Sequence, residues 1–406
     1  MVEKKTLDFR LSIVAAGGCA IVLSVFAAMF IPVQRGQWDL KVYLQCSHTL
    51  ASGADPYATQ PIVGGDPYQC LYPPLATDLY RPFSAMSRML GPSAGERAWA
   101  ALKAFAFVFM LFAWRRWVLK PGADVKRALF IVFAYGNPFL MDFMSGNAGS
   151  LEHAILWGAL AAFIGGRDVL FVVLIAFAAQ LKLLPLAFLV LALSAPRPKW
   201  KIFFGGAALS LLLFSLNEVV HPGLLRGFWS QLADPAQPWR YERGPNNCAA
   251  FGLFQHVFET WSGIRPQAAA MALWVYVPWA AVIAGFTAWT IRRAIVGGRA
   301  EIDKRRQIVF LFITAYALLV PRLKDYSFLL LIPPTLAALE SDAPLALRGG
   351  ILLLALLNST KALAVKLGLG PWALFAGYFK LYAVVLVWIV LLIKLPKKFA
   401  ATHGSE

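Results

Sequence analysis

Apolar stretches of about 15 to 25 residues recur along the chain, separated by short charged or Pro/Gly-rich connections. Helical membrane spans need about 20 apolar residues, whereas barrel strands need about ten alternating ones. The pattern therefore predicts an all-α polytopic membrane protein forming one integral membrane domain over residues 1–406. The first run, Leu11–Val33, is too long for a cleavable signal peptide and no small-residue cleavage pattern follows it, so it is expected to stay as a helix. Further spans are expected near 98–114, 128–143, 151–165, 169–181, 184–194, 202–218, 268–291, 307–320, 326–340, 349–363 and 371–393, about twelve in all. An even number puts both ends on one side.

Two segments break this rhythm. Residues 34–97 and 219–266 are too polar to lie in lipid and read as large extracytoplasmic loops. Within the first, Pro74–Leu90 mixes apolar residues with Asp78, Arg81 and Arg88, which predicts an amphipathic helix lying along the membrane surface. A third interruption is smaller. In "QLKLLP", Lys182 and Pro185 fall between two short apolar runs, where backbone polar groups must be met by protein or by a water-filled cleft.

Composition supports the membrane assignment: 59% of residues are hydrophobic and 15% charged, with a mean hydropathy of +0.63, too apolar for a soluble domain of this size. A net charge of +17 raises the question of nucleic acid. The placement of the basic residues answers it. With a cytoplasmic N-terminus (Lys4, Lys5, Arg10), the clusters Arg115-Arg116 with Lys120, Lys126-Arg127, Arg167, Arg197–Lys201, Arg292-Arg293, Lys304–Arg306, Arg348 and Lys397-Lys398 fall on one side. That is the positive-inside bias, with some affinity for anionic lipid headgroups and no nucleic-acid role. Of the four cysteines, Cys46, Cys70 and Cys248 lie on the outer side by this threading, where a Cys46–Cys70 bond could persist and brace a loop. No metal-ligand spacing and no Asp-X-Asp pair is present, so neither metal nor cofactor is expected.

The chemistry is sought on the outer side. Asp39 lies six positions past Val33, roughly 9 Å if helical and so at the depth of the interface. It reads either as an interfacial residue paired with Arg35 or Lys41, or as a functional group, since ionisable residues at membrane depth are functional candidates. In glycosyl transfer a positioned carboxylate deprotonates the acceptor hydroxyl. A glycosidase needs a second carboxyl to protonate its leaving group, but a lipid phosphate departs without one and gains instead from nearby cations. Arg322 and Lys324 in "VPRLKDYSF" and Lys182 at the helix break are such cations, or else snorkelling residues. Trp38, Tyr43, Tyr57, Tyr68 and Tyr72 can stack on a sugar or simply belong to an interfacial aromatic belt. Glu152 and His153 can line the cleft; Asn246 and Asn247 can bind hydroxyls or cap a helix.

The order of motifs then matters. "WDLKVYLQCSHTLASGADPYA" and "YQCLYPPLATDLYRPFSAM" resemble the opening of glycosyltransferase family 87, with its aspartate, Gly-X-X-Pro-Tyr element and Tyr-Pro-Pro. "NPFLMDFMSGNAGSLEHAIL" resembles the family's Asn-Pro helix and Gly-Gln/Asn turn, which brings in Asn147. "QLKLLPLAFLVLAL", "NNCAAFGLF" and "VPRLKDYSFLLLIPP" resemble its Lys-X-X-Pro helix, Asn-rich outer loop and broken Pro-Pro helix. The resemblance implies a type-C membrane fold, a polyprenyl-phosphate-sugar donor, often carrying mannose, transfer at the outer face to a lipid or glycan acceptor, and Asp39 as catalytic base. It differs at Lys324-Asp325-Tyr326, where many members carry Trp and His, and at Asn147, often Gln; Asp325 is kept as a sugar or acceptor contact. A transporter or lipid flippase is the competing class, and would set ionisable residues near the midplane of paired repeats. A noncatalytic assembly partner is the third.

Overall fold

The computed structural model describes residues 37–58, 62–63, 66–119, 125–194, 198–234, 242, 244, 247–296, 301–357 and 373–394. The expected first span Leu11–Val33, and the candidate Asn246, lie outside the described residues. Most of the described chain is helical, and its strands are a pair of two-residue ones, Ile62–Val63 and Asp66–Pro67, joined antiparallel ahead of Cys70.

The helices in chain order are α1 (Trp38–Ala51), α2 (Pro74–Asp78), α3 (Arg81–Leu90), α4 (Pro92–Ala113), α5 (Val125–Phe133), α6 (Pro138–Ser145), α7 (Gly149–Ile164) and α8 (Asp168–Leu181). A 3-10 helix (Leu184–Leu193) follows, then α9 (Trp200–Val220), α10 (Leu224–Ala233), α11 (Ala250–Ser262), α12 (Arg265–Val296) and α13 (Glu301–Leu319). A second 3-10 helix (Asp325–Leu331) leads into α14 (Ile332–Leu339), and α15 (Leu345–Leu356), α16 (Ala373–Ala376) and α17 (Phe379–Lys394) complete the set. Three helical stretches among the described residues, Ser93–Val118, Trp200–Val220 and Arg265–Ile295, are long and apolar enough to cross a membrane. Their outer faces carry exposed Phe105, Phe204, Leu211, Leu212, Trp274 and Phe286, an apolar exterior suited to lipid rather than water. The protein is a helical membrane protein.

Several expected elements are broken, 371–393 into α16 and α17 and 326–340 into a 3-10 helix and α14 among them. The single span near 128–143 is two helices, α5 and α6, because Tyr135 (φ 56°) and Asn137 (φ 58°) take left-handed backbone conformations. Asn tolerates that conformation, and the following Pro138 has no N–H to continue a ladder but suits a helix's first position. Asn137 then caps α6, its side chain accepting from the Leu140 N–H at 3.0 Å. The amphipathic stretch Pro74–Leu90 likewise splits into α2 and α3, and α3 exposes Met89 and Leu90. The break anticipated at Lys182–Pro185 is present: Lys182 is extended between α8 and the 3-10 helix.

A large apolar core joins α4, α7, α8, α13, α14 and α17. A second cluster gathers Tyr43, Tyr57, Tyr72, Tyr80, Trp99 and Cys46. A Cys46–Cys70 disulfide, with Cα atoms 6.0 Å apart, ties α1 to the segment bearing Tyr72. The Tyr57 hydroxyl reinforces that tie by donating to the Tyr72 carbonyl at 2.6 Å.

Candidate active site

The start of α1 is fixed by a main-chain bond from Gln37 N–H to the Met144 carbonyl at 2.7 Å, at the end of α6. Asp39 falls in the first turn of α1, where the helix dipole favours a carboxylate. Tyr43 follows one turn later on the same face. Between them stands Asn147, in the turn joining α6 to α7. Its Nδ2 donates to Asp39 Oδ2 at 2.9 Å and to the Tyr43 hydroxyl at 3.2 Å.

The other end of the same amide continues the network. Lys182 Nζ donates to Asn147 Oδ1 at 3.3 Å, pairs with Glu152 Oε2 at 2.7 Å and lies 4.9 Å over the Tyr326 ring. Four residues singled out from the sequence, Asp39, Asn147, Lys182 and Glu152, thus form one continuous polar chain, although 113 positions separate the first from the last. Tyr43 adjoins it. Tyr72 packs edge-on against Tyr43 at 4.6 Å between ring centres, forming part of the aromatic wall rather than a separate site.

The remaining candidates sit nearby but with partners of their own. Glu242 bridges Arg322 (2.7 Å) and Lys324 (2.6 Å). Asp325 pairs with Lys380 at 2.7 Å. Asn247, beside the undescribed Asn246, spends its amide on structure: Nδ2 donates to the carbonyls of Glu242 (3.1 Å) and Pro321 (3.2 Å), while Oδ1 accepts from Leu323 N–H (3.0 Å) and Ala249 N–H (3.2 Å). It pins the residues just before α11 to the stretch carrying Arg322 and Lys324.

Electrostatics single out Asp39. Its surface is only half-buried, yet protein crowds the carboxylate closely enough that lost hydration raises its pKa above the ordinary carboxylate value; the Asn147 hydrogen bond and the charges of Lys324, Lys103 and Lys182 oppose that rise. Burial, and secondarily the Asp39 charge, pushes the Tyr43 phenol well above its usual range, so it stays neutral and acts as a hydrogen-bonding group. Among the described residues no group of three or more His, Cys, Asp or Glu side chains converges as metal ligands would.

Several residues that define the site were not anticipated: Glu242, Lys380, Trp99 and the pair Lys103–Asp142. For Lys103 the sequence does hold a signal, a lysine inside the apolar run 98–114, which membrane energetics marks as a functional candidate. Glu242 offers none, because nothing along the chain distinguishes a loop glutamate that meets two cations 80 residues away.

A family model for glycosyltransferase family 87 matches residues 71–321, more than half of the chain. The chain belongs to glycosyltransferase family 87, and with it to the membrane glycosyltransferases. The match takes in Tyr72, Asn147, Glu152, Lys182 and Glu242; Asp39 lies before it and Arg322, Lys324 and Asp325 just after it. No curated protein matches the chain.

Proposed function

We propose that the protein transfers a hexose, for which mannose is the favoured candidate, from a polyprenyl-phosphate donor to a lipid or envelope-glycan acceptor at the outer face of the inner membrane. On this reading the fold is a type-C glycosyltransferase of about twelve spans, both termini are cytoplasmic, and the loops 34–97 and 219–266 face outward. The observation that carries it is the Asp39–Asn147–Lys182 chain, which joins an aspartate of raised basicity to a cation at a helix break.

Asp39 takes the proton of the acceptor hydroxyl as that oxygen bonds to the anomeric carbon, and the bond from that carbon to the phosphate oxygen breaks in the same displacement. The configuration inverts and polyprenyl phosphate leaves with the electron pair. No acid is needed at the leaving group, because cations take up the charge developing on phosphate. Lys182, Arg322 and Lys324 are those cations. Glu242 now holds the last two through its carboxylate, an oxyanion that pairs with the same cations a phosphate would, and the donor must take over some of those contacts. Asn147 orients Asp39, while Tyr43, Tyr72, Glu152, Asn246 and Asp325 border the sugar and acceptor.

The test is transfer from a synthetic polyprenyl-phosphate mannose by purified protein in liposomes. Asp39→Asn keeps the size of the side chain and removes the base, so kcat should fall by about a hundredfold or more with an unchanged melting transition. Full retention of transfer would remove Asp39 from the mechanism.

A further inference from the structure

Helix α4 carries Trp99 and Lys103 one turn apart, and both reach the turn that presents Asn147. Trp99 Nε1 donates to the Gly146 carbonyl at 2.9 Å. Lys103 Nζ pairs with Asp142 Oδ2 at 2.9 Å and also donates to the Asp142 carbonyl. The side chains of Lys103 and Asp142 are each 1% exposed. Asp142 in turn organises the turn itself. Its Oδ2 accepts from Ser150 N–H at 3.2 Å, its carbonyl accepts from Ser145 Oγ at 3.0 Å, and Ser145 Oγ accepts the Asn147 N–H at 3.2 Å. The same turn receives the Gln37 N–H that starts the Asp39 helix.

An ion pair so deeply buried is poor support for stability on its own, since well-packed apolar replacements of both partners are often neutral or stabilising. Stability alone therefore does not account for the pair. Every hydrogen bond that fixes the α6–α7 turn runs within two residues of Asp142, Gly146 or Asn147, and Asn147 is the hydrogen-bond donor to Asp39.

We infer that Lys103 and Asp142, with Trp99, are positioning residues for transfer: they hold the Ser145–Asn147 turn, and through Asn147 the Asp39 carboxylate, in its reactive placement. This rests on the reading of Asp39 as base. The groups facing Asp39 are Tyr43 on its own helix, Tyr72 and Tyr80 from the first outer segment, Lys103 from α4, Asn147 from the turn, Lys182 from the helix break, and Lys324 and Tyr326 from the segment after α13. Lys103 is one of three cations near the aspartate, and its charge is offset by the Asp142 carboxylate that pairs with it.

The experiment compares the wild-type protein with the double variant Lys103→Met/Asp142→Asn, which leaves no unpaired buried charge, in the liposome transfer assay across pH. Its melting transition should stay near that of the wild type. Its kcat should fall about tenfold or more while the donor KM changes less than about threefold, as expected when a reacting group is misplaced rather than a ligand lost. The acid limb of its kcat/KM profile should move little, because the variant removes the Asp142 anion together with the Lys103 cation. Trp99→Phe, which deletes only the hydrogen bond to Gly146, is the second variant: kcat should fall about threefold to tenfold with the acid limb unmoved, and it decides the matter should the double variant fail to fold. Wild-type kcat in a folded double variant, or in Trp99→Phe where the double variant does not fold, overturns the inference. Asp39→Asn run alongside separates the two failures: activity surviving in it refutes the base assignment, whereas loss in it with wild-type kcat in the other variants refutes only the brace.

Discussion

Asp39 joins three influences that a carboxylate seldom meets together: a helix N-terminus, an amide donor at 2.9 Å and a site crowded enough to strip its water. Desolvation wins, so the folded protein holds the Asp39 proton more tightly than a free aspartate would. The sign for catalysis follows directly. A general base works only when deprotonated, so kcat/KM should be level at higher pH and fall as pH drops through the raised pKa, with the acid limb above the ordinary aspartate range of about 4. A pH profile of kcat/KM for the acceptor, taken below its saturation, measures this, and a limb at or below that range would show that cations, not burial, govern the site. The identity of Asp39 was legible in the sequence from its place beside an apolar run. Its partner was legible only as a motif position, because Asn147 lies 108 residues away and its reach to Asp39 depends on how α1 meets the α6–α7 turn.

At the scale of elements, the site is built where helices stop. The ends of α6 and α8 and the starts of α1 and α7 converge, and each break has a local cause in Asn137-Pro138, Gly146 or Lys182–Pro185. Gly146 is the tightest of these. It has φ +73°, and a Cβ there would come within 2.8 Å of Leu40 Cβ and 3.1 Å of Gln37 Cα. Gly146→Ala should therefore cost about 1–2 kcal/mol from backbone strain alone, and should also push α1 away from Asn147. A thermal melt should show the loss of stability, and transfer should drop more than the melt accounts for; an alanine variant with normal activity would mean that α1 is not seated by this contact. The proline and glycine signals of these breaks were readable in advance. The splitting of the 128–143 run was not anticipated although Gly136-Asn137-Pro138 marks it in the sequence, and the left-handed Tyr135 is held by a contact no local pattern shows, Tyr135 Oη to Thr335 Oγ1 at 2.7 Å, two hundred residues on.

Across the whole molecule the ion pairs sort into two layers. Asn147, Lys182, Glu152, Glu242, Arg322, Lys324, Asp325 and Lys380 share the Asp39 end. Asp168 with Lys199 and Arg305, Glu340 with Arg127, and Asp342 with Lys394 share the other. Helix α7, sixteen residues or about 24 Å long, runs between them, from Glu152 near its start to the Phe163 carbonyl that accepts from Arg305 at 2.9 Å. If the basic layer is cytoplasmic, a cysteine replacing the exposed Ala54 should react with an impermeant maleimide in intact cells, and one replacing the exposed Arg167 only after permeabilisation. The reverse pattern would turn the molecule over. The amino-acid sequence by itself indicated the apolar helices, much of their punctuation and the candidate acid Asp39, because hydropathy, proline and glycine act locally. Only the tertiary structure decided which charges meet, that Glu242 pairs with Arg322 and Lys324 and that Lys103 lies near the aspartate, because such pairings depend on helices that approach in space after long separations in the chain.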